Sequence, residues 1–193
     1  MRTFNVPTRE QVSDNNQAIF DKLKGALGFV PNLYATYAYS DNALGNYLNL
    51  SNSKTSLSAK EKEVVNLAES EEKEVVNLAV SQVNECEYCL AAHTAIGKMN
   101  GFNDDQILEL RTGRASFDGR LNALAALAKD VTENRGAASD DVLDQFFAAG
   151  FTNENLIDTI VLVGDKTISN YIHKTTNVPV DFPAAQPLAL ETV

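Results

Sequence analysis

The stretch EVVNLAVSQVNECEYCLAAHTAIGKMNG, residues 74–101, is the part of the sequence from which the fold is predicted. It contains both cysteines of the chain and one of its two histidines. Cys86, Cys89 and His93 stand at positions i, i+3 and i+7, which share one face of an α-helix. Two thiols and a base on one stripe are more typical of redox chemistry than of packing.

The composition indicates an ordinary globular protein. The 193 residues are enough for one sizeable domain, and 44% of them are hydrophobic and 22% charged. A net charge of −10 argues against nucleic acid as a partner, because surfaces that bind nucleic acid need clustered Lys and Arg. The apolar runs are too short to span a membrane. The first residues lack the apolar core of a secretory signal, so we expect a cytoplasmic protein.

In the reducing cytoplasm, a CxxC pair is more often redox-active or metal-binding than a structural disulfide. A structural zinc site usually has four ligands, and outside the cysteine stretch only His173 remains among the usual nitrogen and sulfur donors. We therefore predict no metal and no cofactor. Redox chemistry at the thiols is favoured, and two cysteines that merely pack in a core are the alternative.

Helical periodicity and capping residues recur along the chain, and alternating β patterns are nearly absent. The sequence predicts an all-α, multi-helix single domain over residues 1–176 and an extended C-terminal arm over residues 177–193. The first helix is expected to run from Thr8 to about Lys24, and another helix covers residues 121–131. The remaining helices are expected to start at Pro31, Ser40, Ser58, Asn84, Asn103, Ser139 and Thr152.

An internal repeat precedes the cysteines. Residues 61–71, EKEVVNLAESE, are followed directly by residues 72–82, EKEVVNLAVSQ, and nine of the eleven positions are identical. We interpret this as a tandem duplication, natural or engineered. Eleven residues at ~100° each nearly complete three turns, so the insert is expected to extend one long helix from Ser58 to about Val83. The alternative is that one copy is expelled as a loop. Because the first copy is the more polar, we expect the second to pack beside the cysteines.

The cysteine stretch contains the parts of a thiol redox site. A helix that starts at Asn84 would place both thiols near its N-terminus, which stabilises a thiolate. His93, one turn beyond Cys89, can take or relay a proton. The CxxC spacing allows the second sulfur to close a disulfide once the first is oxidised. Glu74 can reach His93 only if the chain turns near Asn84 and two helices pack together.

The cysteine motif, read as E…CxYCxxAHxxxGxxxGF, resembles the alkylhydroperoxidase D-like branch of the carboxymuconolactone decarboxylase superfamily. The residues that carry the motif are Glu74, Cys86, Tyr88, Cys89, Ala92, His93, Gly97, Gly101 and Phe102. The segments VPTRE (6–10), FVPNL (29–33) and NVPVDFP (177–183) are similar to peroxidase-related members, so the resemblance covers nearly the whole chain. It implies an all-α fold and a homo-oligomer, commonly a trimer or hexamer.

The resemblance also implies activity as a thiol peroxidase on a small hydroperoxide, with an external dithiol or a thiol protein as the reductant. Carried over by position, Cys89 is the attacking thiol, Cys86 the resolving thiol, and His93 and Glu74 the proton relay. Glu63 is a second copy of the relay glutamate and would take the role if the chain expelled the second copy. Some members have a histidine directly before the attacking cysteine, where this chain has Tyr88.

Two other hypotheses remain open at this stage. The same cysteine pair could serve a thiol–disulfide oxidoreductase that reduces a partner peroxidase. In the other hypothesis the chain is a non-enzymatic helical oligomer that hosts a helix insertion, and the cysteines only pack. Lactone decarboxylation, the other activity of the superfamily, is disfavoured because it does not use this cysteine pair.

Overall fold

The computed structural model of the chain describes residues 4–57 and 70–188, and within these ranges it contains nine α-helices and no strand. The predicted all-α fold is therefore confirmed. The helices are α1 (Asp14–Leu27), α2 (Asn32–Tyr37), α3 (Ala43–Ser51), α4 (Glu71–Val83), α5 (Glu87–Met99), α6 (Asp104–Arg111), α7 (Gly119–Glu133), α8 (Asp140–Ala148) and α9 (Asn153–Thr176). In the described part of the chain, no helix is both long and apolar enough to cross a membrane.

The first helix differs from the prediction at both ends. Thr8 caps only a short 3₁₀ turn (Arg9–Gln11), and the next helix, α1, begins after Ser13, which has an extended backbone and caps it. The helix also continues past Lys24 and ends at Gly28, where φ is 83°. A helix interior tolerates a glycine at a modest energetic penalty, whereas a left-handed residue ends the helix, and glycine adopts that conformation readily.

Helix α4 is the centre of the fold and packs against α5, α6, α7 and α9. Nine of its thirteen residues are buried, including Glu72 and Glu74. Glu72 is paired with Arg120, whose Nε lies 3.1 Å from the carboxylate and whose guanidinium lies 3.6 Å from the centre of the Phe151 ring. A buried acid is stable only with such partners, and the partner of Glu74 belongs to the site described below.

The expected unbroken helix from Ser58 to Val83 is not formed, because α4 begins at Glu71. Ser70 has an extended backbone (φ −65°, ψ 156°), and its hydroxyl accepts the Lys73 N–H at 3.2 Å. The serine cap and the acidic residues that follow it favour a helix start at this point. Helix α4 thus contains the second copy of the repeat, while residues 61–69 of the first copy and the predicted cap at Ser58 lie outside the described residues.

Two apolar cores lie on either side of the central helices. The larger core is formed by α4 and α6 to α9, around residues such as Leu124 and Phe146. The smaller core joins α1 to α3 with the start of α5, and it contains Cys86 and Cys89 beside Tyr37. The cysteines are therefore placed between the N-terminal helices and the body of the protein.

Residues 177–188 follow α9 without a helix and lie against the body. The Asp181 carboxylate accepts the Asn32 N–H at 2.8 Å and the Tyr88 hydroxyl at 2.6 Å. Further along, Arg111 donates to the carbonyl oxygen of Gln186 at 2.5 Å. The arm thus connects the N-terminal helices to the cysteine helix.

Candidate active site

The two cysteines lie at the start of α5. Asn84, the predicted cap, instead ends α4, and Glu85 reverses the chain with a φ of 51°. Cys86 is the residue that caps α5, and its Sγ accepts the N–H of Cys89 over 3.4 Å. The predicted helix start at Asn84 is wrong, because the tight turn at Glu85 separates Asn84, at the end of α4, from Cys86, at the start of α5. Cys89 consequently lies in the first turn, where the helix dipole favours an anion.

The turn at Glu85 also brings Glu74 of α4 against His93 of α5. The two carboxylate oxygens of Glu74 lie 2.9 and 3.2 Å from Nδ1 of His93, and Asn77 donates to the same carboxylate at 3.0 Å. Both members of the pair are buried. A carboxylate at Nδ1 holds a proton on that nitrogen and fixes the orientation of the ring.

Lys166, which the sequence analysis did not identify, completes the row of hydrogen-bonded groups that begins with Glu74 and His93. Its Nζ lies 2.6 Å from Nε2 of His93, and its side chain is buried. Lys166 lies on α9, far from the cysteine motif in sequence, so no spacing rule could connect it to the site. The available signal was a charged pair, Asp165 and Lys166, inside the mainly apolar run IVLVGDKTIS (160–169).

The surroundings of Cys89 favour its thiolate. The thiol of Cys86 as a hydrogen-bond donor, followed by the positive charges of Lys166 and His93, lowers the pKa of Cys89 to about 6 against the opposing effect of burial. The pKa of Cys86 is raised, because its proton is held by Cys89 and because the group is buried. Cys89 is therefore the ionised sulfur at neutral pH, and Cys86 is its protonated neighbour.

Aromatic side chains form one side of the site. The rings of Tyr37 and Tyr47 stack with their centres 4.4 Å apart. Burial raises the pKa of Tyr47 to about 12 and also raises the pKa of Tyr37, so both hydroxyls keep their protons. The buried hydroxyl of Tyr37 has no hydrogen-bond partner among the described residues. It is a donor available to a small ligand.

Tyr88 and His173 have packing roles. The Tyr88 hydroxyl accepts the Leu33 N–H at 3.2 Å and donates to Asp181, and its ring lies against His173 with the ring centres 5.3 Å apart. Nε2 of His173 lies 3.2 Å from the carbonyl oxygen of Val178, and burial lowers the pKa of this histidine. Both residues hold the C-terminal arm against the cysteine helix.

Both thiols are enclosed in the single chain, with exposed fractions of 0% for Cys86 and 2% for Cys89. Only a small molecule can approach them without a large rearrangement. Across residues 4–57 and 70–188, no three His, Cys, Asp or Glu side chains are grouped as metal ligands would be. The site is thus a small buried cluster of two sulfurs, an imidazole, a carboxylate and an ammonium group.

Comparison with known proteins shows what the segment that contains this cluster is similar to. Residues 69–130, which include α4, both cysteines and His93, match the model of the carboxymuconolactone decarboxylase family. This part of the chain is similar to members of that family. The matched segment begins just before the second copy of the repeat, so it includes Glu74. No curated protein gives a significant sequence match to the chain.

Solved structures show a similar fold over most of the chain. A peroxidase-related protein from Silicibacter sp. TM1040 has a TM-score of 0.74 at 22% identity, covering 92% of this chain and 90% of that one. A peroxidase-related protein from Ralstonia eutropha JMP134, described as an alkylhydroperoxidase AhpD core, has a TM-score of 0.76 at 20% identity, covering 92% of this chain and 91% of that one. The debrominase Bmp8, as a cysteine-to-alanine variant in complex with 2,3,4-tribromopyrrole, has a TM-score of 0.74 at 14% identity, covering 94% of this chain and 93% of that one. These likenesses establish the alkylhydroperoxidase D-like fold and confirm the predicted resemblance.

Proposed function

We propose that this protein is a thiol-dependent reductase of small hydroperoxides. The observation that supports the proposal most is the pKa of about 6 for Cys89, set by the Cys86 thiol and by the positive charges of Lys166 and His93. A sulfur that is ionised at neutral pH, with a second thiol as its direct neighbour, is suited to a two-step oxidation.

In the first step, the Cys89 thiolate attacks the terminal oxygen of the hydroperoxide. An S–O bond forms, the O–O bond breaks, and the leaving alkoxide takes a proton to become an alcohol. The proton comes from the relay of Lys166, His93 and Glu74, in which Lys166 faces Nε2 and Glu74 faces Nδ1 of His93. Cys89 is left as a sulfenic acid.

In the second step, the sulfur of Cys86 attacks the sulfur of the Cys89 sulfenic acid. A disulfide forms, and the hydroxyl leaves as water with the proton of the Cys86 thiol. An external dithiol then reduces the disulfide and is itself oxidised to a disulfide, which restores both thiols. The need for such a reductant fits a reducing compartment such as the cytoplasm.

The burial of both sulfurs favours a small substrate over a protein disulfide. A thiol–disulfide oxidoreductase must bring the sulfur of a large partner within bonding distance of its own, and Cys89 is only 2% exposed. This favours hydroperoxides over the alternative of a reductase that serves a partner peroxidase. The perturbed pKa of Cys89 likewise disfavours cysteines that merely pack.

Reductive dehalogenation of a small aromatic compound is a second candidate. The stacked Tyr37 and Tyr47 pack in the same core as Cys89, and flat aromatic ligands bind well against such rings. The debrominase of similar fold was studied with a brominated pyrrole. A substrate panel should therefore contain brominated pyrroles beside alkyl hydroperoxides, and the ratio of the two turnover rates decides between the candidates.

The proposal is tested by hydroperoxide consumption with a dithiol reductant, comparing Cys89→Ser and Cys86→Ser. Cys89→Ser is expected to abolish consumption. When the dithiol is left out, Cys86→Ser is expected to consume one equivalent of hydroperoxide per chain and to leave Cys89 as a sulfenic acid, because the internal disulfide cannot close. Unchanged turnover in Cys89→Ser would refute the assignment, and circular dichroism of both variants controls for folding.

A further inference from the structure

The exposed side of α9 is apolar along most of its length. The opposite side packs into the protein and carries Lys166. The exposed side presents large apolar residues, each between 43% and 60% exposed, which are Ile157, Ile160, Val161, Ile168 and Tyr171. A continuous apolar stripe of this kind is typical of an interaction surface rather than of a helix face in water.

The order of residues along the stripe is nearly the same in both directions from Gly164. Ile160 and Ile168 lie four residues on either side of it, and Ile157 and Tyr171 lie seven residues on either side. Four and seven residues are close to one and two helical turns, so all of these positions share the exposed face. Apart from its chain neighbours and the nearby backbone of α9 itself, no described residue has a heavy atom within 4 Å of a Cβ built on Gly164, so a second helix can approach the backbone there.

The charges at the ends of the stripe are complementary under the same reversal. Glu154 lies ten residues before Gly164 and Lys174 lies ten residues after it, and both are exposed. When two such helices run antiparallel and cross at Gly164, Glu154 faces Lys174 of the partner subunit, and the same pair recurs at the other end. Opposite charges that meet at the edge of an apolar contact fix the register of the pair.

We propose that two copies of this chain associate through α9, antiparallel and around a twofold axis at Gly164. In this contact Ile160 packs against Ile168 of the partner subunit, and Ile157 packs against Tyr171 of the partner subunit. A surface whose residues match under reversal is complementary to itself, which is the requirement for a twofold contact between identical subunits. An unrelated partner would not need that symmetry. A hexamer can contain this contact, whereas an isolated trimer cannot.

The first test is the mass of the native protein in solution, measured by light scattering. The wild type is expected to have an even multiple of the chain mass of 21.0 kDa. Ile160→Lys and Ile168→Glu are each expected to halve the subunit number, because each places a charge against an isoleucine. The double variant Ile160→Lys/Ile168→Glu is expected to recover the wild-type mass, because the two new charges face each other across the axis.

The second test is cross-linking at the axis itself. A Gly164→Cys variant places two cysteines opposite each other, so mild oxidation is expected to give covalent dimers. The matched control is Gln145→Cys, which is also exposed on a helix but lies on α8. Equal cross-linking in the two variants, a wild type with one or three subunits, or unchanged mass in Ile160→Lys would each overturn the proposal. Loss of the association when residues 61–71 are deleted would also overturn the proposal, because α9 is intact in that variant.

Discussion

Replacing Cys86 by alanine tests the physical origin of the reactive thiolate. The Cys86 thiol is the largest of the influences that lower the pKa of Cys89 to about 6, ahead of the charges of Lys166 and His93. At that pKa, ~90% of the sulfur is ionised at pH 7, whereas an unperturbed thiol with a pKa of ~8.5 is only ~3% ionised. The variant removes the main donor and leaves the two charges in place.

The expected change follows from the strength of that single hydrogen bond. A hydrogen bond to a charged group contributes ~1.5–3 kcal/mol, and one pKa unit corresponds to ~1.4 kcal/mol. Cys86→Ala should therefore raise the pKa of Cys89 by about one to two units. The ionised fraction at pH 7 then falls from ~90% to between ~50% and ~10%. The rate of hydroperoxide reduction at pH 7 should fall in the same proportion or more.

The measurement is a titration of the ultraviolet absorbance of the thiolate in the reduced protein. Cys86→Ser is the matched control, because serine keeps a hydroxyl donor and is a good helix cap, so the pKa of Cys89 should stay near 6. Both variants contain Cys89 as their sole thiol, and Cys86→Ala/Cys89→Ser supplies the tyrosine background. The argument is refuted if the alanine and serine variants titrate within about half a unit of each other.

Three further predictions follow from the site and from the arm. The lowered pKa of Cys89 means that the folded protein holds a thiolate where the unfolded chain still binds a proton. The free energy of unfolding should therefore rise with pH between about 6 and ~8.5, by at most ~1.4 kcal/mol per unit, and urea titrations of Cys89→Ser should lack this rise. Glu74→Gln should lower hydroperoxide turnover by ~100-fold or more. Glu63→Gln, the same change in the first repeat copy, should leave turnover near wild type, and equal losses in the two variants would contradict the role of Glu74 in the relay. Asp181→Asn should lower the free energy of unfolding in urea by ~1–2 kcal/mol, because it weakens the hydrogen bond from Tyr88, and an unchanged midpoint would show that the arm adds no stability.

The sequence was a good guide wherever the determining residues were close together in the chain. The predicted helix starts at Asn103 and Thr152 are confirmed, since each has a side chain that caps the first turn. The pairing of Glu74 with His93 needed only a turn between two neighbouring helices, and the structure forms that turn at Glu85. Local capping and short connections are the features that a sequence states most directly.

The errors have two physical causes. A helix start depends on competition between neighbouring caps, so the start of α5 at Cys86 instead of Asn84 and the start of α4 at Ser70 could not be read from one serine or asparagine alone. The role of Lys166 on α9 depends on its contact with His93 on α5, and these two residues are 73 positions apart in the sequence. No periodicity reports such a contact, because it is set by the packing of the whole helix bundle.

The serine cap at the start of α4 has a consequence for the evolution of this chain. Each copy of the repeat has a serine as its next-to-last residue, so a copy added upstream brings a potential helix cap with it, and we expect the register of Glu74 relative to the thiols to stay the same. We therefore expect sequence inserted before Ser70 to leave the contact between Glu74 and His93 unchanged, so that this position tolerates natural or grafted insertions independently of catalysis.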